Sequence, residues 1–230
     1  MTLAVMQPYL FPYIGYWQLM KAVDCFVLLD NVHFIKRGYV NRNSILMNGQ
    51  PYRFTVSLEK ASQNRLINEL SLHEVPSKLL HTIETAYKKA PEFASVFPVL
   101  KRALEYGEKN LALYLEHTIR ECAAYLRLET KILRASEIEG LEEYRGEARI
   151  VQICKTLGAT RYVNPPGGRT LYTPEHFSEA GIELRFIAPQ LNPYPQPVEP
   201  FVPALSIIDV MMQNDATALQ RLLDAYTLER

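Results

Sequence analysis

The stretch DNVHFIKRGYVNRN, Asp30 to Asn43, gathers an acid, three amides, a histidine and three cations around Phe34, Ile35, Tyr39 and Val40. A solvated loop seldom spaces bulky apolar residues among so many cations and amides. Arg37 and Arg42 carry planar forks that suit bidentate capture of phosphate or carboxylate, and Lys36 adds a point charge. Asn41 and Asn43 supply amides beside them. His33 lies two residues beyond Asn31 on a strand-like run, so both side chains face one side. Histidine is the side chain best placed for proton transfer near neutrality, so His33 is the first candidate for general acid/base work. His73, His81, His117 and His176 sit in helical or helix-flanking settings without such neighbours and read as structural.

Three further stretches carry chemistry. MQPYLFPYIGYWQLM, Met6 to Met20, sets prolines, a glycine and aromatics on one strand-to-helix turn. A connecting turn would be shorter and more polar, so Gln7, Tyr9, Tyr13, Tyr16 and Trp17 read as a binding surface that stacks on a base or sugar. EKASQNRLIN, Glu59 to Asn68, reads as a helix start with Ser62 as its cap, where Lys60 and Gln63 would help hold an anion. YVNPPGGRTLY joins a strand to a helix through Asn164, Gly167 and Gly168, whose exposed backbone N–H groups can support an oxyanion or phosphate. In LSIIDVMMQND, Asp209 lies three residues after Ser206. A completed helix cap is the simpler reading, and an acid turned toward the cleft is the other. Asp209 is therefore the second candidate for proton transfer.

Other chemistries are not indicated. The chain lacks GxxxxGK[ST], GxGxxG, GxSxG and HExxH patterns, so no metal or cofactor is expected. Cys25, Cys122 and Cys154 are isolated and have no CxxC spacing, which reads as buried free thiols of a reducing cytoplasm. Lys and Arg number 25 against 25 Asp and Glu, so a general nucleic-acid partner is not suggested. No apolar run reaches the ~20 residues of a membrane-spanning helix, and the N-terminus lacks the pattern of a signal peptide.

The elements that must position these residues follow from periodicity. Leu3 to Met6 predicts a buried strand, Ile14 to Ala22 a helix and Cys25 to Phe34 a second strand. Asn48-Gly49 between two alternating runs predicts a hairpin. Residues 73–128 show three amphipathic helical patterns. Strands at Thr130 to Ile138, Ala159 to Asn164 and Ile182 to Pro189 then alternate with helices at Gly146 to Gly158 and Thr173 to Gly181. A proline-rich segment from Pro189 to Pro203 and a final helix from Ser206 onward close the chain. This order predicts an α/β fold: a mixed, mainly parallel sheet flanked by helices, with residues 73–128 inserted into a single domain of residues 1–230. Ligands of such sheets bind beyond the carboxyl ends of the strands. If the strands are parallel neighbours, the turns after Met6, Asp30 and Asn164 open onto one rim.

Together MQPYLFPYIGYWQLM, DNVHFIKRGYVNRN, KASQNRLINE, YVNPPGG with the LY that follows, and LSIIDVMMQN closely resemble the WbqC-like family, in order along nearly the whole chain. The resemblance implies a cytoplasmic enzyme of sugar modification, since the family is associated with gene clusters for O-antigen and other surface polysaccharides. On the matched motifs it supports roles for Gln7, Tyr9, Pro12, Gly15, His33, Lys36, Arg37, Asn41, Arg42, Asn43, Lys60, Gln63, Asn164, Gly167 and Asp209. A looser likeness links the first turn to nucleotidyltransferase-like folds, but PYIGY carries Tyr13 and Tyr16 where histidines are expected. The leading expectation is a transferase that attaches an acyl or aminoacyl group, from an acyl carrier or thioester, to a nucleotide-linked amino sugar. A nucleotidyltransferase or ATP-dependent amide ligase and a non-catalytic sugar-nucleotide-binding protein are the alternatives.

Overall fold

The computed structural model describes all 230 residues, in eight helices and eight strands. The apolar run Thr2–Met6 forms β1, whose residues Leu3, Ala4 and Val5 are buried. Pro8 and Pro12 prevent either a strand or a helix from crossing the following turn. Helix α1 (Ile14–Lys21) begins where they end, and every side chain from Ile14 to Met20 is buried. A helix buried all round must satisfy its polar members internally. The Gln18 amide accordingly donates to the carbonyls of Gln190 at 3.1 Å and Leu222 at 2.8 Å.

β2 (Cys25–Leu28) pairs parallel with β1 on one side and with β5 (Lys131–Arg134) on the other. β6 (Arg161–Asn164) flanks β1 from the opposite side, followed by parallel β7 (Glu183–Pro189) and antiparallel β8 (Tyr226–Glu229). The order is β5-β2-β1-β6-β7-β8, an α/β fold with a mostly parallel sheet. The chain moves outward from β1 to β2 and β5, then reverses across β1 to β6. That reversal is the topological switch point beside which open α/β sheets bind ligands.

Side chains alternate between the two sheet faces. Ala4, Phe26, Leu28 and Ile132 enter the larger core with α1, α4 (Leu111–Tyr125) and α7 (Ile207–Gln213). Leu3, Val5, Cys25 and Val27 enter the smaller core with α5 (Gly146–Thr156) and α6 (Pro174–Glu179). A separate hairpin of β3 (Arg42–Met47) and β4 (Gln50–Thr55) turns at Asn48 and Gly49, both at positive φ as the dipeptide requires. Helices α2 (Ser77–Tyr87), α3 (Phe93–Leu104) and α4 lie between this hairpin and β5. No helix is long and apolar enough to cross a membrane.

The structure departs from the sequence reading in several places. β2 stops at Leu28, and the chain beyond it runs antiparallel to Arg65–Asn68 instead. Phe34 N donates to Arg65 O at 2.9 Å, Ile67 N to Val32 O at 2.9 Å and Asn68 N to Asp30 O at 3.0 Å. This pairing is also why Glu59 to Asn68 does not begin a helix. Lys60 takes φ 46°, the Ser62 hydroxyl accepts from Asn64 N within a turn, and one 3₁₀ turn forms at Ile67–Glu69. Finally, the last helix divides. Asn214 donates back to Val210 O at 2.8 Å, and Asp215 caps α8 (Ala216–Leu223) through Ala218 N at 2.8 Å. The missed strand β8 is short and mostly exposed, so it carries no apolar pattern.

The turn after β6 offers a sharp test of packing. A Cβ on Gly168 would stand 1.6 Å from Asn164 Nδ2, whereas one on Gly167 would meet nothing within 4 Å. Gly168→Ala should cost about 1–3 kcal/mol of stability, and Gly167→Ala no more than ~0.5 kcal/mol, by chemical denaturation. Equal losses would contradict this account of the turn.

Candidate functional site

The proline-rich first turn cannot pair its carbonyls within a helix or a ladder, so distant groups take them. Asn43 Nδ2 donates to Leu10 O at 3.2 Å and Phe11 O at 2.7 Å, and Ser206 Oγ also reaches Phe11 O at 2.8 Å. Trp17 Nε1 and Ile207 N both donate to Pro12 O at 3.0 Å. Leu10 N reaches Tyr39 O at 3.1 Å. Phe11, buried, is held at φ 44°, an unfavourable region for a bulky side chain. Such strain persists only where surroundings over-determine the backbone, and these bonds supply that determination.

The turn so held shapes a cavity of about 270 Å³ lined by Tyr9, Pro12, Tyr13, Tyr39, Asn43 and Ala204. Tyr9 and Tyr39 have ring centroids 6.1 Å apart. The Tyr13 ring lies over Gly15, where a Cβ would come within 2.5 Å of it. Burial pushes the titrations of Tyr9 and Tyr13 up, so both phenols stay protonated donors at neutral pH. Ring faces beside hydroxyls suit a sugar or nucleobase, which present apolar faces and polar rims. Tyr16 and Trp17 stand behind this surface as buried supports. The Tyr16 hydroxyl donates to Gln7 O at 3.2 Å, and Tyr9 and Tyr16 pack with centroids 5.7 Å apart.

A second cavity, about 470 Å³, opens beyond β2 and β5. Next to its lining residues Asn31 and Ser136 is the buried Asp30, whose carboxylate accepts from Ser136 N at 2.9 Å and Ser136 Oγ at 2.6 Å. Burial raises the Asp30 titration, with the two Ser136 hydrogen bonds acting against it. Asn31 and His33 line the cavity with Ser136, Glu142, Arg145 and Arg149. His33 is bridged to Leu66, so its backbone is held while its side chain stays exposed. Neither cavity gathers three or more His, Cys, Asp or Glu side chains of the kind that hold a metal.

The two cavities lie at the carboxyl ends of adjacent parallel strands, so they share one edge of the sheet. Tyr9, Tyr13 and Asn43 are brought together in the first, Asn31 and His33 in the second. Other expected site residues are placed differently. Lys36 and Arg37 are exposed on the connecting loop, with Arg37 at φ 65°. Arg42 Nε donates to Gly38 O at 2.9 Å and Asn41 Nδ2 to Val56 O at 2.9 Å, both bracing that loop. Lys60 and Gln63 are exposed on a turn, without the helix terminus that the sequence suggested. Asn164 is buried, accepting from the Tyr162 hydroxyl at 2.9 Å and donating to Pro165 O at 3.2 Å. Its turn sits at the end of β6, next to β1 on the same edge, but lines neither cavity. Gly168 N already donates to Pro165 O at 3.0 Å, which leaves Gly167 as the exposed glycine of the pair.

Asp209 is wholly buried, in a closed cluster away from both cavities. It accepts from the Tyr87 and Tyr194 hydroxyls, each at 2.6 Å, and from Gln196 Nε2 at 3.0 Å. These bonds fasten the proline-rich segment and α2 to α7. Sequence reasoning missed Ser136, Glu142, Arg145 and Arg149. The available signal was the i, i+4 spacing of the two arginines at the start of α5.

The chain matches the sequence model of the WbqC-like protein family over residues 7–221. It belongs to that family. It is 28% identical over 220 residues to a protein of Mycobacterium tuberculosis described as uncharacterized protein Rv1507c, with 94% of each chain covered. No solved structure shows a significant match. The WbqC-like match spans both cavities and the buried Asp209 cluster, so the geometry above covers the whole matched region.

Removing the Asp209 carboxylate should leave the Tyr87 and Tyr194 hydroxyls without their acceptor, while the Gln196 amide keeps Val202 O at 3.1 Å. Asp209→Ala is expected to lose on the order of 3–5 kcal/mol of stability, because each hydrogen bond to a charged group contributes about 1.5–3 kcal/mol. Urea denaturation measures the loss. Unchanged stability would free this carboxylate for a role at a ligand.

Proposed function

We propose that the protein is a transferase of surface-polysaccharide assembly that moves an acyl or aminoacyl group onto the amine of a nucleotide-activated sugar. The observation that carries this reading is the pair of cavities on one sheet edge, one walled by tyrosines, the other holding an exposed histidine beside arginines. The tyrosine cavity suits the sugar or base, with Tyr9, Tyr13 and Tyr39 as stacking faces. The sequence likeness to a family associated with polysaccharide gene clusters supports the substrate class.

The reaction asks little of the protein beyond positioning and one proton relay. The sugar amine attacks the carbonyl carbon of an acyl thioester, forming a C–N bond. The tetrahedral centre collapses, the C–S bond breaks and the sulfur departs with the electron pair. His33 accepts the amine proton and returns it to the departing thiolate, so it ends each cycle unchanged. An exposed backbone N–H such as that of Gly167 can support the developing oxyanion if the turn after β6 closes on the substrate.

Two measurements test the reading. Purified protein titrated with nucleotide-sugars, ATP and acyl thioesters should bind a nucleotide-sugar and turn it over with a thioester. Dependence on ATP would point to the amide-ligase chemistry, and binding without turnover to a carrier or binding protein. His33→Gln keeps hydrogen bonding but cannot relay a proton, so turnover should fall about 10²–10⁴-fold with affinity nearly intact. Full turnover in His33→Gln would move the base elsewhere.

A further inference from the structure

Phosphate capture was expected from Lys36, Arg37 and Arg42, yet none of them lines either of the two cavities on the site edge. The cationic groups that do are Arg145 and Arg149, one turn apart at the start of α5. Arg145 is exposed and Arg149 half-buried, and neither takes part in an ion pair, as six other arginines of the chain do. The Arg145 guanidinium donates to the carbonyls of Glu142 and Tyr144, which steadies it without neutralising it. Arg149 Nη1 reaches Asn31 O at 3.4 Å, while Arg149 Nε and Asn31 Oδ1 are buried without any hydrogen-bond partner.

Two like charges close together, one of them with a buried and unpaired Nε–H, are unfavourable unless something anionic completes the site. Burial lowers the Arg149 titration, and the Arg145 charge lowers it further, while Asp30 and Glu142 act the other way. Glu142 lines the same cavity and sets a limit, because an anion must lie on the arginine side, away from that carboxylate. The Ser136 hydroxyl in the same wall is already committed to Asp30 at 2.6 Å, so it adds no donor for an anion.

We infer that this second cavity binds the diphosphate of a nucleotide-linked substrate, with Arg145 and Arg149 as its phosphate ligands. A diphosphate presents oxygens over a span that two guanidiniums one helical turn apart can hold together, each through its planar fork. This assignment deepens the transferase reading and rests on it for the molecule that carries the diphosphate. The tyrosine cavity on the same edge then holds the remainder of that molecule, and His33 lies in the wall of the diphosphate cavity.

The test titrates the intact protein with inorganic pyrophosphate and, separately, with uridine diphosphate, by calorimetry at low salt. Arg145→Gln and Arg149→Lys should each weaken pyrophosphate binding by tenfold or more. Arg102→Gln, which removes an equal charge from an ion pair on α3, should leave it unchanged. Arg149→Lys keeps the charge and most of the side chain's volume, so it guards against simple misfolding, and circular dichroism of each variant checks this directly. Wild-type affinity in both arginine variants, or no binding of either probe by the wild type, would overturn the assignment. Uridine diphosphate binding tighter than pyrophosphate identifies a nucleotide as the source, and equal affinities identify the diphosphate alone. Arginine-dependent binding without amine acylation would retain this site and refute the transferase reading. Acylation unaffected by Arg145→Gln would do the reverse.

Discussion

The buried carboxylate of Asp30 is the constraint from which the candidate site is built. A charge removed from water must be matched by donors, and here the match is local: the N–H and hydroxyl of Ser136 converge on both oxygens. The bond joins the end of β2 to the end of β5, so two neighbouring strands cannot part at their carboxyl ends. The same residue's carbonyl accepts from Asn68 N, which draws the Arg65–Asn68 segment alongside the chain leaving β2. Asn31 and His33 inherit their positions from this arrangement. A hydrogen-bonded aspartate at a sheet edge is thus a structural tie that fixes two residues lining a cavity, Asn31 and Ser136.

The first turn solves a different problem by the same means. Prolines at positions 8 and 12 free the backbone from regular structure, which leaves carbonyls needing partners and Phe11 in a strained conformation. Most partners come from far along the chain, Asn43 on β3 and Ser206 and Ile207 at the start of α7, while Trp17 on α1 is a near neighbour. Tyrosine surfaces facing the first cavity therefore rest on a backbone anchored from three directions. Preorganisation of this kind lowers the entropy lost when a ligand binds. Asp209 contributes at one remove, since its cluster of two tyrosines and a glutamine fastens α7 and the segment before it.

The elements with strong periodicity were legible in the sequence. β1, α1, the Asn48-Gly49 hairpin and the three middle helices declare themselves through apolar spacing and turn chemistry. The parallel arrangement followed from strand–helix alternation, and with it the edge on which the turns open. What the sequence did not disclose depends on partners distant along the chain. Whether Asn43 meets a ligand or a carbonyl, and whether Asp209 faces a cleft or two tyrosines, is decided by residues 15 to 122 positions away. The arginines of α5 escaped notice for a related reason. Arginine near a helix start looks like an ordinary solvated position until the strands place it opposite Asn31 and His33. The early end of β2 has the same origin, because an apolar run does not reveal which neighbour it will pair with.

The proposed transfer requires both cavities, at the ends of β1, β2 and β5, to act as one ligand site. Amide chemical-shift mapping of the isotopically labelled protein, titrated with a uridine-diphosphate amino sugar, tests it most directly. The account predicts saturable shifts in both groups together, Tyr39 and Ala204 on one side and Asn31, His33 and Arg149 on the other. Shifts confined to the outer surface of α2, α3 and α4, or to β8, with both cavities silent, would contradict it.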